Sequence, residues 1–123
     1  MKNLSIIIPC YNEKENIKIL LDKFISIKDK NIEIILVNNG SSDSTEKTIS
    51  SYSRIDHRIR YLKIEENIGY GNGIMAGVSK SRNKIISWTH ADLQTDILDV
   101  INSFYSFINH EDYKRCVLKG KRK

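Results

Sequence analysis

Apolar residues are distributed along the chain in two alternating periods. Leu4–Ile8 is a short, near-continuous apolar run closed by Pro9, which reads as a strand buried on both faces. From Glu15 the period changes, and Ile17, Leu20, Leu21, Phe24 and Ile27 recur at three and four residues, the stripe of an amphipathic helix. Ile32–Val37 predicts a second buried strand, followed by Asn38-Asn39-Gly40-Ser41-Ser42, a segment rich in turn formers. Asp43 with Glu46 three residues on resembles a capping box, opening a helix to about Ser53. Ile59–Ile64 alternates apolar and polar residues as a third strand. The glycine-rich stretch from Asn67 to Gly77 leads into a short helix over Ile74–Ser79. Lys84–Thr89 predicts a fourth strand. Ile97–Asn109 predicts a helix with Ile97, Ile101, Phe104, Tyr105 and Ile108 on one face, and Arg115–Lys119 begins a fifth strand.

Strands alternating with helices imply an α/β fold, a mostly parallel sheet with helices on both faces. In such sheets ligands bind beyond the carboxyl ends of the strands. The segments to inspect are therefore Pro9–Glu13, Asn38–Ser42, Glu66–Gly73 and Thr89–Asp96.

Composition narrows this little. At 123 residues, residues 1–123 read as one domain. Its 40% hydrophobic and 28% charged residues are those of an ordinary globular protein. The net charge of +5 suits phosphorylated small molecules, anionic lipid or nucleic acid alike. The densest basic run, Lys119, Lys121, Arg122 and Lys123, reads first as a solvated tail. Cys10 and Cys116 stand apart from each other and from metal-spaced partners, so neither a disulfide framework nor a zinc site is suggested, and a reducing cytoplasm fits. The apolar run at the N-terminus is too short for a signal-peptide core. No stretch approaches the roughly 18 residues that span a bilayer, which leaves contact with a membrane surface open.

Each loop has a plain reading beside a functional one. In Pro9-Cys10-Tyr11-Asn12-Glu13, Tyr11 can stack on a base or sugar and Glu13 can accept from hydroxyls, yet taken alone the stretch reads better as a strand-to-helix connection capped by Asn12 or Glu13. Asn38–Asp43 can read a nucleobase edge or serve only as a turn and helix cap. Beyond the fourth strand, alternation places His90 and Asp92 on one side, where imidazole and carboxylate can hold a divalent cation that bridges two phosphates. A lone His-x-Asp is more often part of a helix N-terminus than a ligand pair. Gly71-Asn72-Gly73-Ile74-Met75-Ala76 satisfies the dinucleotide pattern G-x-G-x-x-G/A. It lies several residues past the third strand, whereas that fingerprint opens a helix directly after a strand, usually the first. Glycines that let backbone approach a ligand or a neighbouring helix are the better reading.

Four stretches occur together in order: Ser5-Ile-Ile-Ile-Pro-Cys-Tyr-Asn-Glu13, Glu33-Ile-Ile-Leu-Val-Asn-Asn-Gly-Ser-Ser-Asp43, Asn67-Ile-Gly-Tyr-Gly-Asn-Gly73 and Thr89-His-Ala-Asp-Leu-Gln94. As a set they resemble the inverting family 2 glycosyltransferases of the GT-A (Rossmann-like) fold. The last stretch is most similar to the polyprenyl-phosphate sugar transferases typified by dolichol-phosphate mannose synthase, where it commonly reads Asp-Ala-Asp-Leu-Gln. The resemblance implies transfer of a sugar from a nucleotide-diphosphate-sugar donor to a polysaccharide, lipid-linked or polyprenyl-phosphate acceptor. It implies that Pro9, Tyr11 and Glu13 line the nucleoside pocket and that Val37 and Asn39 contact the base. Asp92 would hold Mg²⁺ or Mn²⁺ on the diphosphate, with His90 as second ligand and Ala91 and Gln94 nearby. It points to the cytoplasm, at the inner face of a membrane where the acceptor is lipid-linked, and not to nucleic acid; oligomeric state stays open.

The sequence departs from the family's pattern at two places. Asn38 and Asn39 stand where the family carries two aspartates, and His90 replaces the first acid of Asp-x-Asp. Imidazole suits Mn²⁺ better than Mg²⁺. Family members also run well past this length, so the expectation is a sheet truncated after about the fifth strand, with acceptor site and general base in a later half. Two other readings stand beside the enzyme: a nucleotide-binding module without turnover, and an NAD-type dinucleotide binder resting on the glycine pattern.

Overall fold

A computed structural model describes residues 3–40, 44–92 and 96–109. Four strands and four helices alternate: β1 (Leu4–Cys10), α1 (Lys14–Ser26), β2 (Ile32–Asn39), α2 (Thr45–Ile55), β3 (Ile59–Ile64), α3 (Tyr70–Val78), β4 (Ile85–Trp88) and α4 (Ile97–Ile108). The expected fifth strand at Arg115–Lys119, Cys116, the basic run and the Asp43 cap lie outside the described residues.

All strand pairings are parallel, in the order β3-β2-β1-β4. β1 and β2 are the interior strands, and their side chains are buried on both faces apart from half-buried Pro9. Continuous apolar runs are what such strands require. Among the described residues β3 pairs with β2 alone, and it alternates in burial accordingly.

The two faces are covered unequally. Ile17, Leu20, Leu21 and Phe24 of α1, Ile49 of α2, and Ile97, Ile101 and Phe104 of α4 pack with the Leu4/Ile6/Ile8 side of the sheet. On the other side, Val78 of α3 packs with Ile7, Ile35 and Val37. Chain direction across the sheet reverses beside β1: β2 and β3 follow on one side, and β4 returns on the other. A crevice opens at such a switch point, beyond the carboxyl ends.

Near the opposite, amino-terminal rim, Ser5 and Glu33 are register partners, and the Glu33 carboxylate is buried (7% exposed). It accepts from Ser5 Oγ (2.5 Å), Arg60 (2.9 Å) and the Arg82 backbone N–H (2.9 Å). Arg60 also donates to the Lys80 carbonyl (2.8 Å). This network ties the strands to the α3–β4 connection.

α3 is where local expectation and structure part. The expected start was Ile74; the helix begins at Tyr70 and includes Gly71, Gly73 and Gly77. Glycine disfavours helix by about 1 kcal/mol per residue. Packing overrides it: a Cβ on Gly77 would lie 2.4 Å from Ile7 Cγ2 and 2.9 Å from Val37 Cγ2, and one on Gly73 3.0 Å from Asn39 Nδ2. The helix sits too close to the sheet for side chains at these positions. Within the G-x-G-x-x-A pattern it is Gly73 that lies against the sheet, whereas Gly71 has open space around it.

Candidate functional site

A cleft of about 280 Å³ opens at the switch point. Its walls come from the ends of β1, β2 and β4 and the start of α3. At the end of β1 the chain turns through Asn12 in the left-handed region (φ 52°), which asparagine tolerates better than most residues. The turn leaves Tyr11 half-exposed (51%) over the cleft. Glu13 precedes α1; its carboxylate accepts from Asn16 Nδ2 (2.8 Å) and its carbonyl from the Ile17 N–H (2.8 Å). Pro9 and Ala91, the latter packed in the core, complete the floor.

Asn39 is only 4% exposed, and both ends of its amide are engaged by backbone. Its Oδ1 accepts from the Ile68 N–H (3.0 Å) and its Nδ2 donates to the Gly69 carbonyl (3.0 Å). The adjoining Gly40 (φ 72°) packs against the same segment, where a Cβ would meet the Asn67 nitrogen at 2.4 Å. Asn67 Oδ1 in turn accepts from the Gly69 N–H (2.8 Å). The end of β2 therefore clamps the loop that launches α3. Asn38, its neighbour, is buried on the opposite face with an Oδ1 that accepts no hydrogen bond among the described residues.

β4 ends at Trp88, and one further ladder bond, from the Thr89 N–H to the Ile7 carbonyl (3.1 Å), holds its extension. His90 lies in irregular chain past β4 and Asp92 in the bend after it, so both line the cleft without the strand alternation expected of them. His90 lies stacked on Tyr70, with ring centroids 5.0 Å apart and planes at 20°. Burial, and next the charge of Asp92, push the Tyr70 hydroxyl above its ordinary value of 10.0.

Seven of the predicted residues meet in this one cleft: Pro9, Tyr11, Glu13, Asn39, His90, Ala91 and Asp92. Val37 does not. Its side chain is fully buried, packed with Ile7 and Ile35 on the α3 side of the sheet. Gln94 lies outside the described residues. Tyr70 and Asn67 line the cleft without having been singled out; their place in a loop beyond a strand's carboxyl end was the available signal.

A nitrogen and an oxygen donor on one wall of an open cleft fit a divalent cation. Among the described residues no third His, Cys, Asp or Glu joins them in a metal-sized group. Such a cation would complete its coordination with ligand phosphate or water. Among the described residues, no helix is long and apolar enough to cross a membrane.

Glycosyl transferase family 2 matches residues 5–117, and the chain belongs to that family. It is 37% identical over 106 residues to a dolichyl-phosphate beta-glucosyltransferase of Dictyostelium discoideum, covering 78% of this chain and 32% of the relative. The human dolichyl-phosphate beta-glucosyltransferase is 30% identical over 109 residues, with 80% and 34% covered. Among solved structures, residues 1–349 of S. aureus TarS with UDP-GlcNAc superpose with a TM-score of 0.73 at 20% identity, over 89% of this chain and 31% of that one. The Pyrobaculum calidifontis mannosyltransferase PcManGT, in complex with GDP-Man and Mn²⁺, gives 0.65 at 20% identity, over 73% and 27%. The fold is the GT-A arrangement expected. The chain spans about a third of the length of these two curated relatives.

Proposed function

We propose that this cleft binds a nucleoside-diphosphate sugar together with Mn²⁺ or Mg²⁺, and that the chain supplies the donor side of a glycosyl transfer. The observation that carries the reading is the convergence of Tyr11, His90 and Asp92 on one cleft at the switch point, in a chain of this family. Tyr11 offers an exposed ring on which a base or ribose stacks. Glu13 presents a carboxylate beside it. His90 and Asp92 would hold the cation on the diphosphate, where a metal ion neutralises charge on the departing nucleoside diphosphate. Asn39 serves this pocket through the loop it clamps.

The acceptor is a lipid phosphate or a glycan. A phosphate acceptor is already an anion at neutral pH and attacks the anomeric carbon without a general base. The dolichyl-phosphate relatives favour a lipid-linked acceptor and hence work at the cytoplasmic face of a membrane.

The test is a thermal-shift screen of UDP-, GDP- and dTDP-sugars, each with and without Mn²⁺, on the wild type and Asp92→Ala. A ligand that binds only the folded state stabilises it by about 2.7 kcal/mol at a hundred times its Kd. The expected result is a metal-dependent shift with one nucleotide, lost in the variant. A folded wild type that responds to none of them overturns the proposal.

A further inference from the structure

His90 stands where the family's pattern has an acid, and the exchange changes what geometry demands. A carboxylate carries four lone-pair sites on two oxygens. A neutral imidazole offers one lone pair, in the plane of its ring. A ligating histidine must therefore have its ring plane fixed, usually by a hydrogen bond from the second nitrogen. Among the described residues no hydrogen bond holds either ring nitrogen of His90. What holds the ring is Tyr70, stacked 5.0 Å away with the planes 20° from parallel. A face-to-face stack fixes the plane and leaves both nitrogens open at the ring edge.

We infer that Tyr70 is a positioning residue for His90, setting the imidazole plane so that a ring nitrogen faces the cation shared with Asp92. Tyr70 is itself well placed for the task. It is the first residue of α3, so its backbone is fixed by the helix and by the Asn39 clamp on Ile68 and Gly69. Its ring lines the cleft at 43% exposure. An electron-rich phenol also attracts an imidazole made electron-poor by a bound cation, so the stack strengthens as the ion binds. The inference rests on the donor-site reading above.

Two measurements test it. In the free protein, Tyr70 shifts the imidazole protons of His90 upfield in the NMR spectrum; the signal is assigned by its loss in His90→Asp. Tyr70→Phe keeps that shift and Tyr70→Leu removes it. Mn²⁺ binding is then followed by the loss of the free-ion electron-spin resonance signal in the presence of UDP and of GDP. Tyr70→Leu weakens it roughly three- to tenfold, and Tyr70→Phe stays within twofold. In the His90→Asp background, Tyr70→Leu changes nothing. An equal loss in both backgrounds assigns Tyr70 to the ligand or the fold and overturns the inference, as does no loss in either. A wild type that keeps the upfield shift yet binds no Mn²⁺ with either nucleotide brings down the donor-site reading, and this inference with it.

Discussion

An amide at Asn39 does what a carboxylate cannot: it donates to one backbone group and accepts from another. Asn39→Asp keeps the bond from the Ile68 N–H. It loses the one to the Gly69 carbonyl and sets a buried charge against that oxygen. We expect the variant to be less stable by about 1–3 kcal/mol, seen as a lower urea midpoint with an unchanged slope. An unchanged midpoint would mean the amide does not hold the loop. At this scale the candidate site was legible wherever a residue lies beyond a strand end: Pro9, Tyr11, Glu13, His90 and Asp92 follow from the strand pattern and loop chemistry. That the Val37 side chain packs under α3 was not legible, because no local signal reveals how close that helix lies to the sheet.

The glycines of α3 separate close approach from propensity. Gly77→Ala gains about 1 kcal/mol in helix propensity, but its methyl meets Ile7 and Val37 in a packed core. Overpacking of this kind costs about 1–3 kcal/mol, so a lower melting temperature is expected. Gly71→Ala meets nothing within 4 Å and should raise the melting temperature, by about 0.5–1 kcal/mol in stability. Melts that move the same way for both would refute this account of the helix. The same contrast explains what was legible of the elements. β1 to β4, α1, α2 and α4 lie within a few residues of their expected bounds because each carries its own period. α3 began four residues early because a helix so rich in glycine is specified by the surface it lies on.

Across the whole molecule, the strands' two rims differ in chemistry: the carboxyl rim carries the cleft, and the amino rim carries the Glu33 network. Burial raises the Glu33 carboxyl, but the bonds from Ser5, Arg82 and Arg60 outweigh it and hold the group below its ordinary 4.5. A depressed folded value means the stabilisation is complete above 4.5 and is lost as pH falls through the lower folded value. Glu33→Gln removes that contribution. The melting-temperature gap between wild type and variant should therefore be widest near neutrality and narrow from pH 4.5 downward. A gap that does not vary with pH would assign the effect to packing. The sheet order has a consequence for the order of events in synthesis. β1 emerges first, yet one of its two neighbours is β4, with Leu4 paired to Ile85 across eighty residues of chain. Until β4 follows, the most apolar strand of the sheet keeps an open edge, the kind of surface that seeds association between nascent chains. Pairing at that sequence distance is intrinsically slow, so the strand that borders the cleft is also the one whose second edge is covered late while the chain is being made.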